Sequence, residues 1–133
     1  LVRLRRQFSR VVLWEGHSIR SSLPYLFDGQ LPDLNLGTVN TQSCSEALEA
    51  RLAAVLSAQT DYSHVVNGRF KGGYITRYFG VPSEGVEAVQ LELAQSAYMD
   101  EAGVVYTPEK AEKLQKKVLQ PLIEQVLAYV AQG

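Results

Sequence analysis

Residues 67–80, NGRFKGGYITRYFG, combine fixed positive charge with a permissive backbone. The stretch contains Arg69, Lys71 and Arg77 among four glycines and has no acidic residue. Arginine binds carboxylates and phosphates through a planar fork, and glycine lets the backbone approach a ligand closely. The pattern therefore predicts the binding of an anion, which could be a nucleic-acid backbone, a phosphate or a small anionic substrate.

The two histidines differ in their sequence surroundings. His17 follows a short apolar run and lies beside a glycine and a serine, as expected at the carboxyl end of a strand, where ligand-binding residues of α/β sheets collect. Both a metal-binding or catalytic role and a structural role are compatible with this position. His64 lies in the stretch YSHVV and is predicted to be structural. A catalytic zinc site needs three protein ligands and an open position, so one histidine does not make such a site.

Composition and net charge narrow the classes of function. A chain of 133 residues with 46% hydrophobic and 20% charged residues suits one compact globular domain. Its net charge of −1 argues against a nucleic-acid-binding domain, because such domains are usually basic. No apolar run approaches the roughly 20 residues that span a bilayer, and a single cysteine provides no disulfide framework. We expect a cytoplasmic protein without membrane or nucleic-acid partners.

The elements that must position these residues alternate between strands and helices. Residues 11–18 form a short apolar run that predicts a buried strand leading to His17. Residues 19–42 contain prolines, glycines and turn formers without a sustained period, which predicts a long irregular loop. Residues 43–59 predict a helix, with Ser43 and Glu46 at the spacing of a capping box.

The second half of the chain continues the α/β pattern. Residues 62–70 predict a second strand that leads into the basic stretch, and residues 86–93 predict a third strand with Glu92 near its carboxyl end. A long helix is predicted to begin after Thr107, where a proline occupies the first helical position. Pro121 is expected to kink this helix because proline lacks a backbone N–H.

Four motifs, taken together, resemble the carboxyl-terminal half of the N-formylglutamate amidohydrolase family. They are HSIRS (17–21), LPDLNLGT (31–38), NGRFKGGYITRYFG (67–80) and AVQLELAQSAYMDE (88–101). The resemblance implies an α/β fold with a mixed sheet flanked by helices, similar to part of the zinc carboxypeptidase and aspartoacylase fold, which is also called phosphorylase/hydrolase-like. It further implies zinc-dependent hydrolysis of N-formyl-L-glutamate to formate and L-glutamate, a step in histidine degradation.

The resemblance also assigns roles to individual residues. His17 matches a histidine that supplies a zinc ligand, and Glu92 matches the glutamate that acts as general base. N-formylglutamate carries two carboxylates, so its pocket needs compact cationic forks rather than an extended basic face. The residues predicted to bind this small dicarboxylate substrate are Arg69, Arg77, Arg20, Asn67 and Lys71.

The chain departs from the family pattern in two residues and in length. Glu15 stands where the family commonly has an aspartate, and Glu87 stands where relatives commonly have a histidine, so the roles of both positions are open. The chain is shorter than family members and lacks the segment that brings the other zinc ligands. We therefore expect residues 1–133 to be a single domain, the carboxyl-terminal half of a longer amidohydrolase, with an incomplete zinc ligand set. Three hypotheses follow: an enzyme that is inactive without its amino-terminal half, a noncatalytic module that binds small dicarboxylates, or an inactive truncated homologue.

Overall fold

The structure is a computed structural model that describes residues 1–132. Its central sheet has four strands, which are β1 (Val11–Ile19), β2 (Leu34–Gly37), β3 (His64–Val66) and β4 (Val86–Ala94). A small antiparallel hairpin is formed by β5 (Met99–Asp100) and β6 (Val105–Tyr106). The α-helices are α1 (Val2–Arg5), α2 (Glu46–Ala58), α3 (Tyr74–Phe79), α4 (Pro108–Leu114) and α5 (Gln120–Val130).

The sheet is mixed, with the strand order β1-β4-β2-β3. β1 pairs with β4 in parallel, β4 pairs with β2 in antiparallel orientation, and β2 pairs with β3 in parallel. β1 is therefore an edge strand, whose partner among residues 1–132 is β4. This arrangement confirms the predicted α/β class with a mixed sheet flanked by helices.

The two faces of the sheet differ sharply in polarity, because side chains alternate along each strand. One face carries Leu34, Leu36, Val89 and Leu91, all buried in the main hydrophobic core. Helices α2 and α5 cover this face with leucines and valines at helical spacing. The residues that they contribute are Leu48, Leu52, Leu56, Leu122 and Val126.

The other face carries polar side chains at successive cross-strand positions. Glu15 lies opposite Gln90 and His17 opposite Glu92 in the β1–β4 pair, while Asn35 of β2 lies opposite Glu92 from the other side. Partners in register share a face, so these five side chains belong to one surface. Helix α3 packs on β1 and β4 at this surface.

The strand predictions for residues 11–18 and 86–93 are confirmed, whereas two other predictions need correction. The predicted loop 19–42 contains β2, whose four residues are too few to show a period but are all buried between β3 and β4. The predicted strand 62–70 is ordered as a strand only at 64–66, because Asn67 takes a positive φ of 53° and turns the chain.

Helix ends also differ from the expectations. Ser45, rather than Ser43, caps α2 by accepting a hydrogen bond from the Leu48 amide at 3.2 Å. Ser43 is unavailable because its hydroxyl donates to the Ala88 carbonyl on β4 at 2.8 Å. The kink expected at Pro121 stays a prediction. Pro121 lies in the first turn of α5, and the turn before it, Gln115–Leu119, is π-helical, so the regular α-helical bonding is interrupted just before the residue that lacks a backbone N–H.

Glu87 connects α5 to β4 through hydrogen bonds on the face of the sheet that carries the hydrophobic core. Its carboxylate is 4% exposed and accepts hydrogen bonds from the Tyr129 hydroxyl at 2.5 Å and the Ser45 amide at 2.8 Å. The Arg10 guanidinium lies 3.6 Å from the same carboxylate and stacks over the Tyr129 ring at 4.2 Å from the ring centroid. Glu87, whose role the sequence left open, therefore has a structural role.

We predict that Tyr129→Phe lowers the free energy of unfolding by about 1–3 kcal/mol, because it removes a donor from a buried carboxylate that cannot be rehydrated. Urea denaturation followed by circular dichroism measures this loss. Tyr25→Phe is the matched control, since Tyr25 is largely exposed. Equal stability of the two variants would contradict the role of the Tyr129 hydroxyl.

Candidate functional site

Glu92 and His17 lie opposite each other near the carboxyl ends of the parallel strands β1 and β4. Glu92 is 7% exposed, and its carboxyl oxygens receive no hydrogen bond from the rest of residues 1–132. Burial raises the pKa of Glu92, the positive charge that His17 can carry lowers it, and the negative charge of Glu15 raises it further. The net shift is upward, which makes this carboxylate a better proton acceptor than an exposed one.

Glu15 holds His17 in place. Its Oε1 atom lies 2.9 Å from His17 Nε2, and its Oε2 atom accepts a hydrogen bond from the buried Thr76 hydroxyl. Burial alone would raise the pKa of Glu15, but the hydrogen bonds from Thr76 and His17 lower it below its ordinary value. Glu15 thus stays ionised and orients the imidazole, which leaves Nδ1 of His17 for another partner. The His17 side chain is 47% exposed, so that partner can approach from solvent.

Asn35 supports Glu92 from the neighbouring strand. The Asn35 side chain is 1% exposed, and its Nδ2 donates to the Pro32 carbonyl at 2.7 Å and to the Glu92 carbonyl at 3.2 Å. Its Oδ1 atom has no hydrogen-bond partner within residues 1–132. The amide therefore fixes the backbone that carries Glu92 and leaves an unused acceptor on the same face of the sheet.

The basic stretch 67–80 lies on this polar face. The Asn67 amide donates to the Leu36 carbonyl at 2.7 Å, and the Lys71 carbonyl accepts from the Val39 amide at 2.6 Å. Gly37 lies directly beneath the loop, where an added Cβ would come within 2.7 Å of the Phe70 carbonyl oxygen. A side chain at Gly37 would lift the loop off the sheet, so the glycine is required for the close approach.

Arg69 and Arg77 carry charge that no carboxylate compensates within residues 1–132. Arg77 donates from Nη1 to the Gly72 carbonyl at 2.6 Å, and Arg69 donates to the Leu26 carbonyl. Arg20 lies beside Glu101: it donates to the Glu101 carbonyl at 3.4 Å, and its positive charge helps to lower the pKa of the Glu101 carboxyl. Within residues 1–132, none of the three arginines forms an ion pair with a carboxylate.

The other two predicted substrate contacts occupy different environments. Lys71 is exposed on the basic stretch 67–80. The side-chain amide of Asn67 is hydrogen-bonded within the protein. Its Oδ1 accepts from the Thr38 backbone amide at 2.9 Å, and its Nδ2 donates to the Glu49 carboxylate at 2.9 Å. Asn67 thus shapes the start of the basic loop, and its predicted contact with a substrate stays a prediction. His64 is exposed and 3.5 Å from the Ser57 hydroxyl, away from the polar face.

Sequence reasoning missed four residues that shape the site: Thr76, Gln90, Asn35 and Glu101. Gln90 and Asn35 could have been noticed as buried polar residues at alternate positions of otherwise apolar strands. Thr76 has no such signal, because it lies on a short helix. Glu101 accepts from the Ser21 amide and hydroxyl, which lowers its pKa despite partial burial, and so anchors the turn that carries Arg20.

The metal-binding capacity of this part of the chain is limited. Residues 1–132 contain no group of three or more His, Cys, Asp or Glu side chains placed to hold a metal ion. His17 offers one nitrogen, which falls short of the three protein ligands of a catalytic zinc. The donor set in this chain therefore does not by itself fit zinc. In the same residues, no helix combines the length and apolar character needed to cross a membrane.

Comparison with known proteins connects this arrangement to one family. The family described as N-formylglutamate amidohydrolase matches residues 1–99. The chain is 55% identical over 130 residues to an N-formylglutamate deformylase of Pseudomonas aeruginosa, covering 97% of this chain and 48% of the relative. It is 52% identical over 132 residues to an N-formylglutamate deformylase of Pseudomonas putida, covering 99% of this chain and 49% of the relative.

A solved structure supports the same fold. The crystal structure of an N-formylglutamate amidohydrolase from Ralstonia eutropha JMP134 superposes with a TM-score of 0.80 at 22% identity, covering 96% of this chain and 46% of that chain. The chain thus spans about half the length of the curated relatives that it matches. With the family matched over most of its residues and two relatives above half identity, the chain belongs to the N-formylglutamate amidohydrolase family.

Proposed function

We propose that this chain forms part of a deformylase that hydrolyses N-formyl-L-glutamate to formate and L-glutamate. The observation that carries the proposal is the β1–β4 register, which sets Glu92 opposite His17 in a chain of this family. Arg69 and Arg77 of the basic stretch 67–80, which have no carboxylate partner within residues 1–132, support a substrate with carboxylates. Placement of the reaction in histidine degradation and in the cytoplasm remains a prediction.

In the proposed reaction, Glu92 is the general base. Its carboxylate takes a proton from the attacking water, so the water oxygen bonds to the formyl carbon as its O–H bond breaks. Glu92 then gives this proton to the departing nitrogen when the C–N bond breaks. The raised pKa of Glu92 suits both steps, because the group must accept a proton and release it again.

Arg77 and Arg69 bind the substrate carboxylates in this proposal. Each guanidinium already contacts a backbone carbonyl, and it retains further N–H donors for a ligand. Arg20 and Lys71 would add positive charge at the periphery. The carboxylates of a dianionic ligand would compensate the charges of Arg69 and Arg77.

We further propose that His17 provides one ligand, through Nδ1, to a zinc ion whose other ligands lie outside residues 1–132. A bound zinc ion polarises a carbonyl and lowers the pKa of its water ligand. Within this chain, Glu15 contributes by fixing the tautomer and orientation of His17, a common arrangement for metal-binding histidines.

The function is tested with the purified chain and with a full-length chimera, in which this chain replaces the matching half of the Pseudomonas aeruginosa relative. We expect the chimera to release formate from N-formyl-L-glutamate. Glu92→Gln in the chimera should lower kcat by about 10²–10⁴-fold, because it keeps the shape and removes the base.

Glu109→Gln, a change on the exposed first turn of α4, is the control for this loss and should leave kcat unchanged. A Glu92→Gln variant that retains more than about a tenth of the parental rate would remove Glu92 from the mechanism. Binding of N-formyl-L-glutamate without any turnover by the unmodified chimera would instead favour a noncatalytic dicarboxylate-binding module.

Arg77→Lys in the chimera should weaken substrate binding by about 1.5–3 kcal/mol, because a point charge replaces a planar fork. The loss should appear mainly in KM, and it should shrink for N-formyl-norvaline, which lacks the side-chain carboxylate, or for an analogue without the α-carboxylate. Steady-state kinetics with both analogues identify the carboxylate that Arg77 contacts. A loss that is the same for all three substrates would contradict the contact.

The isolated 133-residue chain should retain far less than one zinc ion per molecule after dialysis against a mild chelator, because His17 is its single expected ligand. Metal analysis by atomic emission measures the content, and the chimera treated in parallel should keep its zinc. Stoichiometric retention by the isolated chain would mean that Glu15 or His64 completes a site within it.

A further inference from the structure

Gln90 occupies a central place on the polar face. It is 5% exposed and precedes Glu92 by two residues on β4, so both side chains project from the same side of the sheet. Its Oε1 atom accepts a hydrogen bond from the Gly73 amide at 2.5 Å. Gln90 therefore contacts the basic stretch 67–80 from β4, the strand that carries the proposed general base Glu92.

The Gly73 amide belongs to the same peptide group as the Gly72 carbonyl. That carbonyl accepts the hydrogen bond from Arg77 Nη1 at 2.6 Å. The two hydrogen bonds thus share one planar peptide group. Its N–H donates to Gln90, and its C=O accepts from the Arg77 guanidinium. The peptide bond is rigid, so fixing one end sets the direction of the other.

The backbone conformation of Gly72 allows this orientation. Its φ of +135° lies in a region that residues with side chains rarely adopt, and an added Cβ would come within 2.8 Å of a Val39 methyl group. The glycine makes the required peptide orientation accessible, and it makes other orientations accessible too. A specific contact is needed to select one of them, and Gln90 supplies it.

We propose that Gln90 is a positioning residue that sets the Arg77 guanidinium for substrate binding through the Gly72–Gly73 peptide group. The proposal rests on the proposed function of Arg77. Gln90 does not touch the substrate in this scheme. It acts by keeping the Arg77 fork in one orientation before the substrate arrives, which reduces the ordering that binding must impose.

The decisive comparison is Gln90→Met against Gln59→Met. Methionine keeps the length of the side chain and removes the acceptor oxygen. Gln59 is the control because its Oε1 also accepts a backbone amide, that of Tyr62, at 2.8 Å, in the loop between α2 and β3. Its Nε2 also donates to the Leu56 and Tyr62 carbonyls, so Gln59→Met loses at least as many bonds as Gln90→Met, and only Gln90→Met loses one beside Arg77.

In the full-length chimera, Gln90→Met should raise KM for N-formyl-L-glutamate about tenfold and leave kcat within about twofold, whereas Gln59→Met should change neither. Combined with Arg77→Lys, Gln90→Met should add little further loss, because both changes disable the same contact. Gln59→Met should not change the effect of Arg77→Lys. The proposal would be overturned if the fold-increase in KM of the double variant equalled the product of the two single-variant increases. An unchanged KM for Gln90→Met would also overturn it.

Hydrogen exchange in the 133-residue chain gives a readout that does not depend on turnover. Gln90→Met should speed exchange of the Gly73 amide, and Gln59→Met should speed exchange of the Tyr62 amide instead. Direct titration with N-formyl-L-glutamate, done in chimeras that also carry Glu92→Gln so that the substrate is not consumed, should show the same tenfold weakening for Gln90→Met.

These measurements separate the two proposals. A chimera that binds N-formyl-L-glutamate but does not release formate contradicts the deformylase function and leaves the role of Gln90 to be judged by binding. A chimera that turns over normally with equal KM for Gln90→Met and Gln59→Met contradicts the role of Gln90 alone. Absence of N-formyl-L-glutamate binding by the unmodified chimera overturns both.

Discussion

The parallel pairing of β1 with β4 is the constraint on which the site depends. A shift of one residue in this register would turn Glu92 away from the face that carries His17, because side chains alternate along a strand. The register is fixed by the apolar face of the sheet, where Trp14 and Leu91 pack into the hydrophobic core. The apolar face thus determines which polar groups meet on the opposite side.

The buried and partly buried carboxylates of this chain are of two kinds. Glu15, Glu87 and Glu101 each receive hydrogen bonds from neighbouring side chains or amides, and these bonds lower the pKa of Glu15 and Glu101 and hold Glu87 in place. Glu92 receives none from residues 1–132, and burial raises its pKa. Among these four carboxylates, Glu92 is therefore the one that forms no hydrogen bond stabilising the fold, so it can accept and release a proton as a general base must.

The sequence predicted the α/β class and the two long strands, the first from a short apolar run and the second from the alternation of its side chains. It did not predict β2, whose strand character comes from its burial between two neighbours rather than from its own four residues. The family resemblance pointed to His17 and Glu92, and the structure sets them in register. The contacts of Thr76 and Gln90 could not be predicted, since they join residues distant in sequence through loop geometry that has no periodic pattern.

The position of β1 at the edge of the sheet has a consequence for handling the chain. Nine residues of this strand pair on one side with β4, and their outward backbone groups find no strand among residues 1–132. Unpaired edges of this length are templates for strand addition, and exposed Phe8 and Leu127 lie beside the start of β1. We therefore expect the isolated chain to self-associate in concentrated solution, unless a partner covers this edge.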